Sequence, residues 1–144
     1  MKKILLAILM MSVCSLFAAP PAGWLTDYDQ ALKEAGKSGK YIYVLFTGSD
    51  WCPWCVRLRK DVLETKRFRD FAAEKLILVY CDYPRNASPS DKQIAKQMQW
   101  QKALEAGRGV PSAVVVNSKG KVVSRISGYA PENVYISKLE KIVK

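Results

Sequence analysis

Cys52 and Cys55 stand three positions apart in Trp51-Cys52-Pro53-Trp54-Cys55. On a helix, thiols at this spacing lie nearly one turn apart, close enough to bond to each other or to exchange a disulfide with a second molecule. The preceding stretch, Tyr41–Thr47, is β-branched and aromatic without a charge, and Gly48-Ser49-Asp50 then turns the chain. The pair therefore falls where a buried strand hands over to a helix. The first sulfur there meets unpaired backbone N–H groups and the positive end of the helix dipole, which favour a thiolate. Cys52 is the expected nucleophile and Cys55 the expected resolving thiol. Pro53 suits the first helical position, where its missing N–H costs no bond.

Other uses of the thiols compete with redox exchange. A zinc site needs four ligands, and in a chain with no histidine only Cys81 and a carboxylate remain to complete one. The same lack of an imidazole removes a Cys-His protease or acyltransferase. A structural Cys52–Cys55 disulfide closes so short a loop that it removes little unfolded-chain entropy. Redox exchange is the better-supported use. Trp51, Pro53 and Trp54 are expected to face substrate, with Pro53 and Trp54 covering the space between exposed sulfurs; core packing is the alternative for the tryptophans. Arg57, Arg59 and Lys60 either tune the site or form a solvated face. Cys81, closing a second apolar run, reads as a small buried side chain.

A second constellation, Gly107–Val116, places Pro111 directly before an apolar strand. Proline has no N–H for a sheet ladder. A cis Val110-Pro111 bond turns the chain at that point and leaves the backbone of Val110 free to pair with a bound peptide.

The elements that carry these groups follow from periodicity and turn residues. Helical spacing over Leu25–Ala35 ends at Gly36 and Gly39, and the strand Tyr41–Thr47 comes next. A helix from the cysteines to about Leu63 pauses at Glu64-Thr65 and resumes to Glu74. Leu76–Cys81 is a second buried strand. Ser90-Asp91-Lys92-Gln93 has the form of a capping box opening a helix to about Glu105. Ala113–Val116 and Val122–Ile126 are joined by hairpin residues at Asn117–Gly120. Pro131 opens a terminal helix. This alternation predicts an α/β domain with a central sheet, early crossovers parallel and the last pair a hairpin.

With 144 residues the chain suits one domain with its own core, so its four cysteines are not needed as staples. Met1-Lys2-Lys3 followed by the uncharged run Ile4–Phe17 reads as a secretory signal peptide over residues 1–19, too short to span a membrane comfortably. A lipoprotein reading through Cys14 is weaker, because Val13 sits where a small residue is expected. The domain then runs over residues 24–144, with no stable membrane insertion after cleavage. The formal charge of +10 comes from basic residues scattered along the chain, which indicates a solvated basic surface and not a nucleic-acid site.

Trp51-Cys52-x-x-Cys55 after a hydrophobic strand, Arg108-Gly109-Val110-Pro111 before the hairpin and Gly128 after it resemble the thioredoxin superfamily, over essentially the whole mature chain. Phe46–Cys55, "FTGSDWCPWC", with the interrupted helix after it, is most similar to exported thioredoxin-like disulfide reductases. The resemblance implies a thioredoxin fold, a central mixed β-sheet flanked by helices on both faces. It also implies attack by Cys52, resolution by Cys55, and a cis-Pro111 loop holding the substrate strand antiparallel to Val110. No cofactor or metal is required. The implied partners are disulfide-containing exported proteins and a membrane electron donor of the DsbD type, with the protein acting as a monomer in the periplasm.

Two departures stand out. Pro53-Trp54 replaces the Gly-Pro of cytosolic thioredoxins, and proline after the nucleophile is shared with glutaredoxins and DsbA-type oxidases. The strand before the motif lacks the buried acid of thioredoxins, so water, Asp50 or another group must help deprotonate Cys55. The expected function is a periplasmic thiol-disulfide oxidoreductase that reduces or exchanges disulfides. The alternatives are a net oxidase or isomerase, or a redox-inert peptide-binding module using the same groove.

Overall fold

A computed structural model describes residues 19–144. The expected signal segment, with Cys14, lies outside the described residues apart from Ala19. Five strands form one sheet in the order β1-β3-β2-β4-β5: β1 (Trp24–Leu25), β2 (Tyr41–Thr47), β3 (Leu76–Asp82), β4 (Ser112–Val116) and β5 (Val122–Ser127). β1 and β2 flank β3 in parallel, whereas β4 runs antiparallel to both β2 and β5. The expected mixed sheet, with parallel crossovers first and a hairpin last, is therefore present.

Helices cover both faces, each over its own apolar layer. α1 (Tyr28–Ser38) and α4 (Lys92–Ala103) bury Ala31, Ala35 and Trp100 against Ile42, Val44, Phe46 and Cys81. On the other face, α2 (Pro53–Leu58), a π-helical turn (Arg59–Leu63), α3 (Lys66–Lys75) and α5 (Glu132–Ile142) bury Leu58, Val62, Phe68 and Ile136 against Tyr43, Leu45 and Tyr80. The hydroxyls of Tyr43 and Tyr135 meet inside this second layer at 2.6 Å.

Local chemistry moved several boundaries. Leu25 lies in β1, paired with Val79, and α1 begins only after Asp27, whose carboxylate accepts from the Asp29 and Gln30 N–H groups at 2.8 and 3.1 Å. Gly39, at φ 74°, ends that helix as a left-handed cap. Asp91, not Ser90, caps α4 by accepting from the Gln93 and Ile94 N–H groups, while Ser90 pairs with Ser88. The helix stops at Ala103, short of the expected Glu105. Beyond Leu58 the expected single helix changes to a π turn, in which the Glu64 N–H reaches the Arg59 carbonyl at 2.9 Å. Thr65 caps α3 where the pause was expected. Pro131 caps α5, which starts at Glu132.

Candidate active site

The C-terminal end of β2 and the first turn of α2 place the cysteines. The Cys52 N–H bonds the Gly48 carbonyl at 3.0 Å, which closes the Gly48–Asp50 turn, and Cys52 itself is the N-cap of α2. Its sulfur accepts from the Cys55 N–H at 3.2 Å and donates toward the Val110 carbonyl at 3.7 Å. The first contact caps the first turn of α2, where the helix leaves N–H donors unpaired. The second brings together two segments that the sequence keeps 58 positions apart.

Val110-Pro111 is cis, as expected from the sequence. The Pro111 carbonyl accepts from the Gly128 N–H at 2.9 Å, tying this loop to the end of β5.

Both cysteines are free and buried, with 6% of Cys52 and 3% of Cys55 exposed. This corrects the expectation of exposed sulfurs. Burial, with the hydrogen bond to Cys52 next in weight, pushes the Cys55 thiol up to about 11. The Gly48 N–H, which donates to the Cys55 sulfur at 3.4 Å, and the Thr47 hydroxyl act in the opposite direction. The Asp50 carboxylate accepts from the Arg85 N–H at 2.9 Å. Cys81 is fully buried beside Phe46, and burial alone pushes its thiol up.

Trp51 and Trp54 are 44% and 55% exposed, so neither is a core residue. The Trp51 indole N–H donates to the Tyr83 carbonyl at 2.6 Å, and the ring lies across Gly48. The Trp54 ring packs at 5.7 Å from Tyr129, with the Arg57 guanidinium over both rings. Arg57 also pairs with Asp61, which accepts from the Tyr129 hydroxyl, and Arg59 pairs with Glu64. Those guanidinium charges are therefore engaged on the surface of α2 and the π turn. Pro53 occupies the first position of α2, exposed beside Cys52.

Sequence reasoning did not find Thr47, Gly48, Ser49, Asp82, Tyr83 or Tyr129 as site residues. Thr47 was legible only as the end of a strand, and Gly48 and Ser49 only as a turn. The others reach the site across strands and loops, which leaves no mark in local spacing.

A thioredoxin-like domain model matches residues 28–142. The chain belongs to the thioredoxin-like family. It is 32% identical over 120 residues to the disulfide bond reductase DsbH of Chlamydia pneumoniae, an alignment covering 82% of this chain and 71% of that protein. A solved DsbH oxidoreductase superposes with a TM-score of 0.72 at 26% identity, covering 88% of this chain and 91% of the other. The oxidised C-terminal domain of DsbD from Neisseria meningitidis shares the fold, with a TM-score of 0.60, 20% identity, and coverage of 83% and 98%. This family member is a thioredoxin-like disulfide oxidoreductase, and Cys52 and Cys55 are its paired thiols.

Proposed function

We propose that the protein reduces or exchanges disulfides of exported proteins in the periplasm, as a monomer without a cofactor, and is re-reduced by a membrane electron donor of the DsbD type. The observation that carries this reading is the Cys52 sulfur, held between the Cys55 N–H and the Val110 carbonyl at the mouth of α2. Cys52 thiolate attacks one sulfur of a substrate disulfide, forming a mixed disulfide and releasing the other substrate sulfur as a thiolate. Cys55 thiolate then attacks Cys52, which forms the Cys52–Cys55 disulfide and releases the second substrate thiolate. Two electrons pass to the substrate, and the donor dithiol returns them. Val110 and Pro111 hold the substrate strand, with Trp51, Pro53 and Trp54 as the surrounding wall. The similarity to a protein named disulfide bond reductase supports the reductive direction.

Equilibration of the Cys52–Cys55 pair with dithiothreitol and glutathione buffers tests this direction. A reductase falls near thioredoxin, at roughly −270 mV, and an oxidase near DsbA, at about −120 mV. A value at the oxidase end refutes the reductive assignment, and failure to form the disulfide refutes redox function. Cys55→Ser should accumulate mixed disulfides through Cys52, and Cys52→Ser should accumulate almost none. Equal trapping by the two variants refutes the division of roles.

A further inference from the structure

The segment leading into Cys52 is fastened to the segment leaving β3. The Tyr83 N–H donates to the Thr47 carbonyl at 2.8 Å, the Arg85 N–H to Asp50 at 2.9 Å, and the Trp51 indole to the Tyr83 carbonyl. At the centre of this seam, Asp82 grips Ser49 with both carboxylate oxygens, accepting from the Ser49 N–H at 2.9 Å and from its hydroxyl at 2.6 Å. The backbone carbonyl of Asp82 is itself held by the Gln97 amide of α4 at 2.7 Å. A two-point, charge-assisted grip fixes orientation as well as distance. The residue before Ser49 is Gly48, whose N–H points at the Cys55 sulfur at 3.4 Å. Thr47 and Asp82 are register partners on adjacent parallel strands, so the grip fixes the end of β2 from which the Gly48 N–H reaches the resolving thiol.

We propose that Asp82 is a positioning residue for the resolving half-reaction: through its two hydrogen bonds to Ser49 it holds the Gly48 N–H against the Cys55 sulfur, and so sets how readily Cys55 becomes the attacking thiolate. This rests on the reading that Cys55 resolves the mixed disulfide. In that step the Cys55 proton passes to solvent water and the Cys55 thiolate bonds to the Cys52 sulfur. The bond from Cys52 to substrate breaks, and the departing substrate thiolate keeps the electron pair and takes a proton from solvent.

The charged and titratable groups that act on the Cys55 thiol or on its neighbour Tyr80 are Cys52 in the motif, beside Cys55, and Asp82 on β3 and Arg59 on the π turn, beside Tyr80. Any direct effect of the Asp82 charge on the Cys55 thiolate is repulsive, whereas the grip on Ser49 favours the thiolate through the Gly48 N–H. The two effects have opposite signs, so substitution separates them. Asp82→Asn keeps an oxygen for the Ser49 N–H and an amide for its hydroxyl, while Asp82→Ala keeps neither.

The reduced protein is mixed with the aromatic disulfide dithionitrobenzoate in a stopped-flow instrument across a pH series. Attack by Cys52 releases one coloured thiolate and resolution by Cys55 releases a second. Asp82→Ala should slow the second release about tenfold at neutral pH and move its midpoint to higher pH, as expected when a donor to a charged sulfur is lost. The first release should stay within about twofold of wild type, and Asp82→Asn should keep the second release within about threefold. Ser49→Ala, which removes only the hydroxyl arm, should slow the second release about threefold. A wild-type or faster second release in Asp82→Ala overturns the proposal, as does an Asp82→Asn variant as slow as the alanine. If Asp82→Ala does not fold, Ser49→Ala decides alone: slowing supports the grip, and a wild-type rate overturns it. A second release that persists in Cys55→Ser instead refutes the underlying assignment of Cys55.

Discussion

Alanine at Gly48 places a methyl group where the Trp51 indole lies. A Cβ there meets Cε2, Cζ2 and Nε1 of that ring at 2.4, 2.6 and 2.8 Å, so the ring has to move. Its outer side is open to solvent, and it swings outward more easily than the turn beneath it deforms. Leaving the Tyr83 carbonyl costs about 0.5–1.5 kcal/mol for the hydrogen bond. Returning about half of a tryptophan's roughly 150–250 Å² to water costs about 2 kcal/mol more at about 25 cal/mol per Å². The reduced freedom of the unfolded alanine chain offsets about 0.4–1 kcal/mol. The net loss is about 2 kcal/mol, a fall of about 4–8 °C in Tm for a domain of this size. Guanidinium denaturation of the reduced protein, followed by circular dichroism, measures it. In a Trp51→Ala background the same substitution should cost nothing, because the collision is gone. Wild-type stability of Gly48→Ala, or an equal loss in both backgrounds, refutes the reasoning.

Other residues give equally direct tests. Because the Cys55 thiol is raised to about 11, resolution of a preformed mixed disulfide should speed up about tenfold per pH unit between about pH 7 and 9; a flat profile contradicts this. The same shift carries a stability term: it is fully present below the unfolded thiol's value of about 8.5 and is lost as pH rises toward the folded value, which denaturation at a series of alkaline pH values reads out. Tyr43→Phe strands the fully buried Tyr135 hydroxyl and should cost about 1–3 kcal/mol, most of it recovered in the Tyr43→Phe/Tyr135→Phe double variant. Cys81→Ala should leave disulfide reductase activity intact and cost about 1 kcal/mol in unfolding free energy. Cys81 in the native protein should also resist iodoacetamide, and its labelling under native conditions contradicts the packing reading.

Much of the fold is legible in the sequence because it depends on near neighbours. The uncharged runs Tyr41–Thr47 and Leu76–Cys81 are strands because both faces are covered, a condition their composition already meets. Gly39 stops a helix and Thr65 restarts one through backbone conformation and a single side-chain cap. Where two caps adjoin, as at Ser90 and Asp91, spacing alone did not choose between them; in the folded chain Asp91 accepts from two N–H groups. The two-residue strand β1 was missed because Trp24–Leu25 carries no periodicity of its own and is a strand only beside Leu78 and Val79.

The candidate site divides in the same way. The spacing of Cys52 and Cys55, their place between strand and helix, and a proline suited to a cis bond at residue 111 belong to the sequence, because each is a property of a few consecutive residues. What only the tertiary structure decided is what surrounds the sulfurs: the Val110 carbonyl at Cys52, the Gly48 N–H at a buried Cys55, Trp54 drawn to Tyr129, and the Asp82 grip on Ser49. The long-range contacts among these join residues 33 to 75 positions apart. Their distances are fixed by strand register and by which loops meet at the end of the sheet, quantities that exist only once the chain has packed.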